Sequence, residues 1–222
     1  MERHVVQTAD GSSSLYVPAL DEHYHSRHGA LQESRHVFIQ MGLLPIASER
    51  KEIDILEIGF GTGLNALLTA QFAAENGLSV RYWTVEAYPM QPEEVAALNY
   101  VDLIGGEGLV ELWSALHNAP WEGLHEVAPG FRICKMQAMI EEFVAPSEVD
   151  LIYFDAFAPE KQPELWTDAV FAKMKDALKL GGTLVTYCAK GVVRRTMIAQ
   201  GLQVERLQGP PGKREMLRAR KV

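Results

Sequence analysis

Three glycines and two acidic residues are spaced as a binding site for a ligand that carries a ribose. Gly59, Gly61 and Gly63 follow the acid Glu57 at alternate positions. Glycines in such a turn let backbone N–H groups approach a ligand closely and allow positive φ. Glu86, about 20 residues further on, suits the two hydroxyls of a ribose. The alternative is a tight turn between a strand and a helix that binds nothing.

The glycine turn requires a buried strand before it and a helix after it. Residues 53–58 are a short apolar run with one acid, as expected for a strand of a parallel sheet, and residues 66–70 favour a helix. A dinucleotide fingerprint places its third glycine three residues after the second, whereas here the interval is two residues. This spacing counts against a nicotinamide cofactor.

The pattern E-x-G-x-G-x-G followed by Glu86 resembles the class I S-adenosyl-L-methionine-dependent methyltransferases. The resemblance implies that this cofactor lies over the turn, with Glu57 near its cationic part and Asn65 and Asp155 also in contact. It further implies that Gln137, which follows the predicted strand 131–136, contacts the adenine where the family often has an acid. A glutamine can accept that hydrogen bond through its carbonyl oxygen.

Another carboxylate, Asp155, ends the apolar run 149–154. A carboxylate at the carboxyl end of a parallel strand points into the crevice in which α/β sheets bind ligands. There it could accept a proton from a reacting group, and Phe157 could pack against the substrate. The alternatives are that Asp155 caps a helix and that Phe157 belongs to the core.

Strands and helices alternate through the rest of the chain. The elements predicted after Glu86 are a helix at 92–98, a hairpin at 124–136, a helix at 163–178, a strand at 183–187, a helix at 191–200 and a hairpin at 202–219. They predict an α/β fold, Rossmann-like and doubly wound, with a mainly parallel sheet and an antiparallel C-terminal hairpin. Residues 51–222 would form the methyltransferase domain. Residues 1–50, with a helix at 30–41, would pack on it as a polar lid, giving a single globular domain overall.

Charge is distributed unevenly along the 222 residues. The net charge is −8, yet residues 186–222 hold nine Lys and Arg against two Glu, which is +7, so residues 1–185 carry −15. This asymmetry favours a basic surface for an anionic partner. An ordinary solvated edge would also account for it.

Other features of the sequence narrow the class of protein. Cys134 and Cys188 stand in apolar runs, so we expect both to be buried thiols in a reducing compartment. No stretch approaches 18 apolar residues, and we expect a soluble cytoplasmic protein without membrane contact. The four histidines between residues 23 and 36 lack cysteines and a helical His pair with a carboxylate, so no metal site is predicted.

Five longer stretches make the resemblance specific. They are YFDAFAPEKQPELW at 153–166, KGVVRR at 190–195, GKREM at 212–216, DGSSSLY at 10–16 and YHSRHGALQESRHVFI at 24–39. Together they resemble the family of methyltransferases that complete 5-methylaminomethyl-2-thiouridine at the wobble position of tRNA. In some bacteria this activity is the amino-terminal half of a bifunctional enzyme with an FAD-dependent oxidoreductase. This chain looks like the stand-alone, MnmD-like form.

The family resemblance implies a reaction and a set of roles. A methyl group passes from S-adenosyl-L-methionine to the primary amine of 5-aminomethyl(-2-thio)uridine in tRNA. Asp155 would accept a proton from the amine or orient it, and Phe157 would pack against the base or the developing cation. The basic residues expected to contact the anticodon region of tRNA are Lys161, Lys190, Arg194, Arg195, Lys213 and Arg214. A separate oxidoreductase or other aminomethyl-forming enzyme would act upstream.

The sequence is also compatible with three other functions. The chain could methylate a small-molecule or protein amine, which gains support if the basic residues are dispersed around the fold. It could be a nicotinamide-dependent oxidoreductase, although the glycine spacing and the lack of an evident hydride-transfer pair count against that. It could be a cofactor-binding subunit without activity, which the intact Asp155 segment disfavours.

Overall fold

The computed structural model describes residues 1–145 and 148–222. Its strands are β1 (His4–Gln7), β2 (Ser13–Val17), β3 (Glu22–His23), β4 (Glu52–Ile58), β5 (Ser79–Glu86), β6 (His125–Ala128), β7 (Phe131–Gln137), β8 (Val149–Phe154), β9 (Leu178–Thr186), β10 (Leu202–Gln208) and β11 (Glu215–Lys221). Its α-helices are α1 (Ala30–Ser34), α2 (Leu44–Ala47), α3 (Leu64–Asn76), α4 (Pro92–Ala96), α5 (Tyr100–Ile104), α6 (Leu109–Asn118), α7 (Asp168–Ala177) and α8 (Gly191–Ala199). A π-helical segment, Arg35–Leu43, joins α1 to α2, and a 3₁₀ turn, Pro163–Trp166, precedes α7.

Eight strands form the main sheet in the order β10-β11-β9-β8-β4-β5-β7-β6. The five strands from β9 to β7 are mutually parallel, and β11 and β6 run antiparallel to their neighbours. The strand order reverses beside β4, which is where an open α/β sheet binds ligands. The predicted doubly wound sheet and its antiparallel C-terminal hairpin are confirmed.

Successive residues of a strand point to opposite faces of the sheet, and in the central strands both sets are apolar. Helices therefore cover both faces of this sheet. In β4, Ile53 and Ile55 join the core beneath α3 and the π-helical segment, whereas Leu56 and Ile58 join the core beneath α7 and α8. Central strands of this kind are continuous apolar runs in the sequence, which is why their positions could be predicted to within a few residues.

The amino-terminal region contains strands that the sequence analysis did not anticipate. β1, β2 and β3 form a separate antiparallel sheet, and the predicted helix at 30–41 is α1 followed by the π-helical segment. The start of α5 holds this small sheet, because the Asn99 side chain accepts a hydrogen bond from the Ser13 backbone (2.8 Å) and Tyr100 donates to the Ser13 carbonyl (2.8 Å). β1 has four residues and β3 has two, so neither is long enough to give a clear alternating pattern in the sequence.

The predicted helix at 163–178 is also shorter than expected. It begins at Asp168, because Thr167 caps it by accepting a hydrogen bond from the Val170 backbone. Residues 163–166 form the 3₁₀ turn instead, and the Trp166 indole donates to the carbonyl of Phe157 at 2.8 Å. At the other end Leu178 already belongs to β9. The loop that carries Asp155 and Phe157 is therefore anchored by a buried tryptophan.

A network of charges joins the strands at the edge opposite the glycine turn. Asp54 accepts two hydrogen bonds from Arg81 (2.6 and 2.7 Å), and Lys179 bridges Asp54 and Asp150 (2.8 and 2.9 Å). Asp150 also accepts from the Asp54 backbone at 2.9 Å and from Arg50 at 2.6 Å. Both carboxylates are buried. They tie β4, β5, β8 and β9 together at their amino ends.

We expect Asp150→Ala to lower the free energy of unfolding by about 2–4 kcal/mol, because it leaves the buried Asp54 backbone N–H without its acceptor and removes one of the two carboxylates that pair with Lys179. The matched control is Arg50→Ala, whose side chain is half exposed, and it should cost less than about 1 kcal/mol. Urea unfolding followed by circular dichroism measures both. Equal losses in the two variants would show that the network does not stabilise the sheet.

Candidate active site

A cavity of about 520 Å³ opens at the carboxyl ends of the parallel strands. Its walls come from the glycine turn, the end of β5, the segments after β7 and β8, and the amino-terminal region from Asp21 to Glu33. Cavities of this size and position bind small molecules and cofactors in α/β folds. The predicted site residues can therefore be placed relative to one cavity.

The glycine turn depends on the absence of side chains at two positions. Gly59 has a φ of +91°, and a Cβ there would lie 2.6 Å from the carbonyl oxygen of Asp155. Gly63 has a φ of +78° at the start of α3, where a Cβ would lie 2.9 Å from Nε2 of His117. The turn consequently packs directly against the loop after β8, with its backbone exposed to the cavity.

Glu86 lies at the end of β5 and faces the cavity. Its carboxylate accepts hydrogen bonds from the backbone N–H groups of Gly61 (2.9 Å) and Tyr88 (2.8 Å). These bonds hold the carboxylate beside the glycine turn, while each oxygen retains acceptor capacity. Glu86 therefore faces the cavity, and its contact with a ribose stays a prediction.

Asp155 lies at the opposite side of the turn and also faces the cavity. Asn65, in the first turn of α3, donates a hydrogen bond to its Oδ2 at 2.8 Å. Burial raises the pKa of Asp155 to about 7, and the negative charge of Glu33 adds to this effect. A carboxylate with such a pKa can accept and release a proton near neutral pH.

Glu57 is placed differently from the prediction. It is fully buried beneath the glycine turn and does not line the cavity. One carboxylate oxygen accepts from the Thr84 hydroxyl at 2.8 Å, and the other has no hydrogen-bond partner among the described residues. Burial raises the pKa of Glu57 well above its usual value. We therefore correct its role from direct ligand contact to support of the turn from below.

Gln137 is also placed outside the cavity. Its side chain is exposed at the end of β7, whereas the next three residues, Ala138, Met139 and Ile140, line the cavity wall. The chain turns after β7, so this following segment faces the cavity and Gln137, the predicted adenine contact, does not.

The amino-terminal region closes one side of the cavity. The Tyr24 ring packs edge-on against Phe157 with ring centroids 5.0 Å apart, and it lies over Gly61. Arg3 holds Tyr24 in place by donating to its hydroxyl at 2.9 Å and to Glu94 at 2.9 Å. Phe157 itself lines the cavity beside Asp155. Tyr24 and Phe157, from two distant parts of the chain, thus form one aromatic wall.

The predicted basic residues separate into two groups. Arg195 and Arg214 are exposed and Arg194 is half-buried, and all three lie at the carboxyl edge of the sheet, in α8 and in the loop before β11. Lys190 pairs with Glu160, and Lys161 pairs with Asp21 at 3.5 Å.

Lys213 departs most from the prediction, because it lies in the cavity rather than on an outer surface. Its ammonium group is 2.5 Å from the Glu33 carboxylate and 3.8 Å from the centre of the Tyr187 ring. The predicted basic residues therefore do not form one surface patch, because Lys213 faces the cavity.

The histidines and cysteines lie at different places in the fold and are not grouped around one site. Burial lowers the pKa of His25 to about 4, so this cavity residue is neutral, and His36 contacts the Gln208 carbonyl at 2.8 Å. Cys134 and Cys188 are free and buried. Across residues 1–145 and 148–222, no three His, Cys, Asp or Glu side chains are grouped to hold a metal, and no helix is long and apolar enough to cross a membrane.

Comparison with known proteins identifies the class. Residues 125–222 match a family described as S-adenosyl-L-methionine-dependent methyltransferase. The chain is 28% identical to MnmC2 from Aquifex aeolicus, whose crystal structure it matches with a TM-score of 0.82 over 99% of this chain and 70% of that one. The chain belongs to the S-adenosyl-L-methionine-dependent methyltransferases. The predicted fold class and cofactor are thereby confirmed.

Proteins related in sequence are named for the modification made by the family that the five sequence stretches resemble. The methyltransferase is 32% identical over 92% of its length to the "tRNA 5-methylaminomethyl-2-thiouridine biosynthesis bifunctional protein MnmC" of Cupriavidus metallidurans. It is 33% identical over 87% of its length to the protein of the same name in Aeromonas hydrophila. The chain spans about a third of the length of these relatives. The resemblance to this family is confirmed.

Several cavity residues of the methyltransferase were missed by sequence reasoning. Tyr24 and Glu33 belong to a stretch that carried the resemblance, but their places in the cavity depend on how the amino-terminal region folds over the sheet. Tyr187 follows β9, as Asp155 follows β8 and Glu86 ends β5. Its position at a strand's carboxyl end was a signal that could have found it.

For the cofactor site, we expect Glu86→Ala to weaken binding of S-adenosylhomocysteine about 10- to 100-fold, because a charged acceptor is lost. Glu86→Gln should lose less, since one carbonyl acceptor remains. Isothermal titration calorimetry measures both, with the exposed Glu126→Ala as the control. Unchanged affinity in a folded Glu86→Ala protein would remove Glu86 from the site.

The raised pKa of Asp155 predicts a pH-dependent stability difference. The pKa is about 7 in the folded protein against 3.8 for a free side chain, so its stabilising contribution is complete below pH 3.8 and is lost as the pH rises through 7. The melting temperature of Asp155→Asn, which lacks this loss, should rise relative to the unchanged protein between about pH 4 and 7 and then level off. Differential scanning fluorimetry without cofactor measures it.

The control for this measurement is Asp176→Asn, an exposed carboxylate in α7, which should show no such trend. A constant difference between Asp155→Asn and the unchanged protein across this pH range would mean that Asp155 is ionised throughout.

Proposed function

We propose that this methyltransferase converts 5-aminomethyl(-2-thio)uridine to 5-methylaminomethyl(-2-thio)uridine at the wobble position of tRNA. The observation that carries the proposal is Asp155, a carboxylate held by Asn65 at the cavity wall beside Phe157. The names of the relatives support the same substrate. The alternative is that the enzyme methylates an amine of a small molecule or of a protein.

The cavity residues fit S-adenosyl-L-methionine. Glu86 offers a charged acceptor for ribose hydroxyls, the glycine turn offers close backbone approach, and residues 138–140 offer an apolar wall for a purine. When bound, this cofactor supplies an electrophilic methyl group. The protein's own part is to hold the acceptor amine in line and to remove its proton.

Asp155 is the residue that we propose to manage the amine proton. A primary alkylammonium is largely protonated at neutral pH and cannot act as a nucleophile in that form. Because the pKa of Asp155 is about 7, a large fraction of the carboxylate is ionised at neutral pH and each proton it accepts is readily released. Asn65 keeps the carboxylate oriented toward the cavity through its 2.8 Å hydrogen bond.

The aromatic wall is suited to a flat base. Phe157 lines the cavity next to Asp155, and its backbone is anchored by the Trp166 indole. Tyr24 contacts it with the two ring planes nearly perpendicular, which restricts the movement of the Phe157 ring. Stacking of a base on an aromatic side chain is worth about 1–3 kcal/mol. We propose that Phe157 contacts the uracil ring and that residues 1–50 act as a lid over the cavity.

The tRNA would approach from the carboxyl edge of the sheet. Within the described residues, Arg194, Arg195 and Arg214 form no ion pair, whereas Lys190, Arg206, Arg218 and Lys221 each pair with a glutamate. We therefore assign phosphate contacts to the three arginines, and the acidic remainder of the chain repels RNA from other faces. The protein would act in the cytoplasm on tRNA whose aminomethyl group a separate enzyme has made.

Methyl transfer to tRNA tests the proposal. Purified protein with S-adenosyl-L-methionine should form 5-methylaminomethyluridine in tRNA that carries the aminomethyl group, and none in tRNA without it. Mass spectrometry of digested nucleosides measures the product. Methylation of free amines or proteins in preference to this tRNA would overturn the substrate assignment.

The role of Asp155 is tested in single turnovers. Asp155→Asn should slow methyl transfer about 10²- to 10⁴-fold, the range of general-base catalysis. The rate of the unchanged enzyme should rise with pH through about 7 as Asp155 ionises, and the variant should lack this inflection while gaining rate at higher pH, where more amine is neutral. Asp176→Asn is the control. A normal rate in both Asp155→Asn and Asp155→Ala would mean that the residue is structural.

A further inference from the structure

The ammonium group of Lys213 lies in a site with the chemistry of an alkylammonium receptor. The Glu33 carboxylate contacts it at 2.5 Å, and the Tyr187 ring lies with its centre 3.8 Å away. A carboxylate combined with an aromatic face is how proteins bind organic cations. Lys213 therefore marks a built cation site within the cavity.

Both walls of this site are fixed by other contacts. Glu33 is buried, and its second oxygen accepts a hydrogen bond from the Ser26 backbone at 2.8 Å. The Tyr187 hydroxyl donates to the Ala156 carbonyl at 2.8 Å, one residue after Asp155. Neither wall depends on Lys213 for its position. The site would keep its shape if Lys213 left it.

Lys213 itself is held less firmly. Its side chain is 30% exposed, and its loop closes through backbone hydrogen bonds from Lys213 to Pro210 (2.9 Å) and from Gly209 to Arg214 (3.1 Å). Rotation of the side chain alone would therefore empty the site. The neighbouring Arg214 is exposed at the same edge.

We propose that Glu33 and Tyr187 bind the ammonium group of the methyl acceptor, and that Lys213 occupies this site until the acceptor replaces it. Glu33, Tyr187, Lys213 and Asp155 all line the same cavity, so a cation at this site shares that cavity with the proposed proton acceptor. The inference rests on the proposed function, in which the acceptor is a primary amine. It assigns Lys213 a place inside the site rather than on the tRNA-binding surface.

The first test uses n-propylammonium as the probe and the protein loaded with S-adenosylhomocysteine. Removing the competing cation in Lys213→Met should tighten probe binding about 10-fold or more, because a charge-assisted hydrogen bond becomes available to the probe. The double variant Lys213→Met with Glu33→Gln should lose this gain. Saturation-transfer NMR titrations measure the affinity.

The neutral 1-propanol is the matched control probe, and its binding should not change in Lys213→Met. If propylammonium binding does not tighten, or if propanol binding tightens equally, the variant has only enlarged the cavity and the proposal is overturned.

A second test measures the unchanged protein and uses a variant only to assign one signal. In protein labelled with ¹³C-lysine, the terminal methylene of Lys213 should show an upfield shift from the Tyr187 ring, with Lys213→Arg used for assignment. Saturating propylammonium should move this signal toward the position of an exposed lysine, and propanol should not. A signal that stays in place with the probe bound would overturn the proposal.

Neither test uses tRNA, so the two assignments can fail separately. A protein that binds the probe as expected but does not methylate tRNA keeps its amine site and loses the proposed substrate. A protein that methylates tRNA without the expected probe behaviour keeps its substrate and loses this role for Glu33 and Lys213.

Discussion

The close approach of two backbone segments determines the geometry of the active site. At Gly59 the turn after β4 passes so near the loop after β8 that a single added carbon would lie 2.6 Å from the Asp155 carbonyl oxygen. The Asp155 backbone N–H also donates to the Ile58 carbonyl at 3.0 Å. Because the two loops touch, the first turn of α3 can deliver Asn65 to the Asp155 carboxylate. The cofactor turn and the proposed proton acceptor are therefore parts of one rigid unit.

This unit concentrates acidic groups in little space. Glu57 is buried below the turn, Asp155 lies at the cavity wall and Glu33 approaches from α1. Burial, together with the negative charge of Glu33, disfavours the charged form of Asp155, which is why the pKa of Asp155 reaches about 7. Such an arrangement lowers stability at neutral pH, and proteins retain it where a poised carboxylate serves a reaction. The charge network at the opposite edge of the sheet has paired carboxylates instead.

The amino-terminal region completes the cavity from outside the main sheet. Tyr24 and His25 follow β3, and Glu33 lies in α1, so this small sheet and helix bring three cavity residues together. Arg3 and the polar contacts of Ser13 fasten the region to the segment between β5 and α6. This side of the cavity is consequently built from the part of the chain with the weakest secondary-structure signals.

The sequence by itself determined the elements whose signals are local. Buried parallel strands are continuous apolar runs, the glycine turn has a fixed spacing, Glu86 ends its strand and Asp155 follows its own, so the doubly wound sheet and the location of these two residues at the cavity could be predicted. Tertiary structure alone decided which side chains meet across the cavity. Glu57 turned out to be buried and Gln137 exposed, because burial depends on what packs above a strand end rather than on the residue type.

Lys213 shows the limit most clearly. In the sequence it is one of several basic residues in a positively charged segment, with nothing to distinguish it from Arg214. In the fold its neighbours are Glu33, from 180 positions earlier, and Tyr187 at the end of another strand. The charge of a residue can be read from the sequence, but its partner is set by contacts between distant segments. Those contacts decide whether a lysine faces solvent, a phosphate or the inside of a binding site.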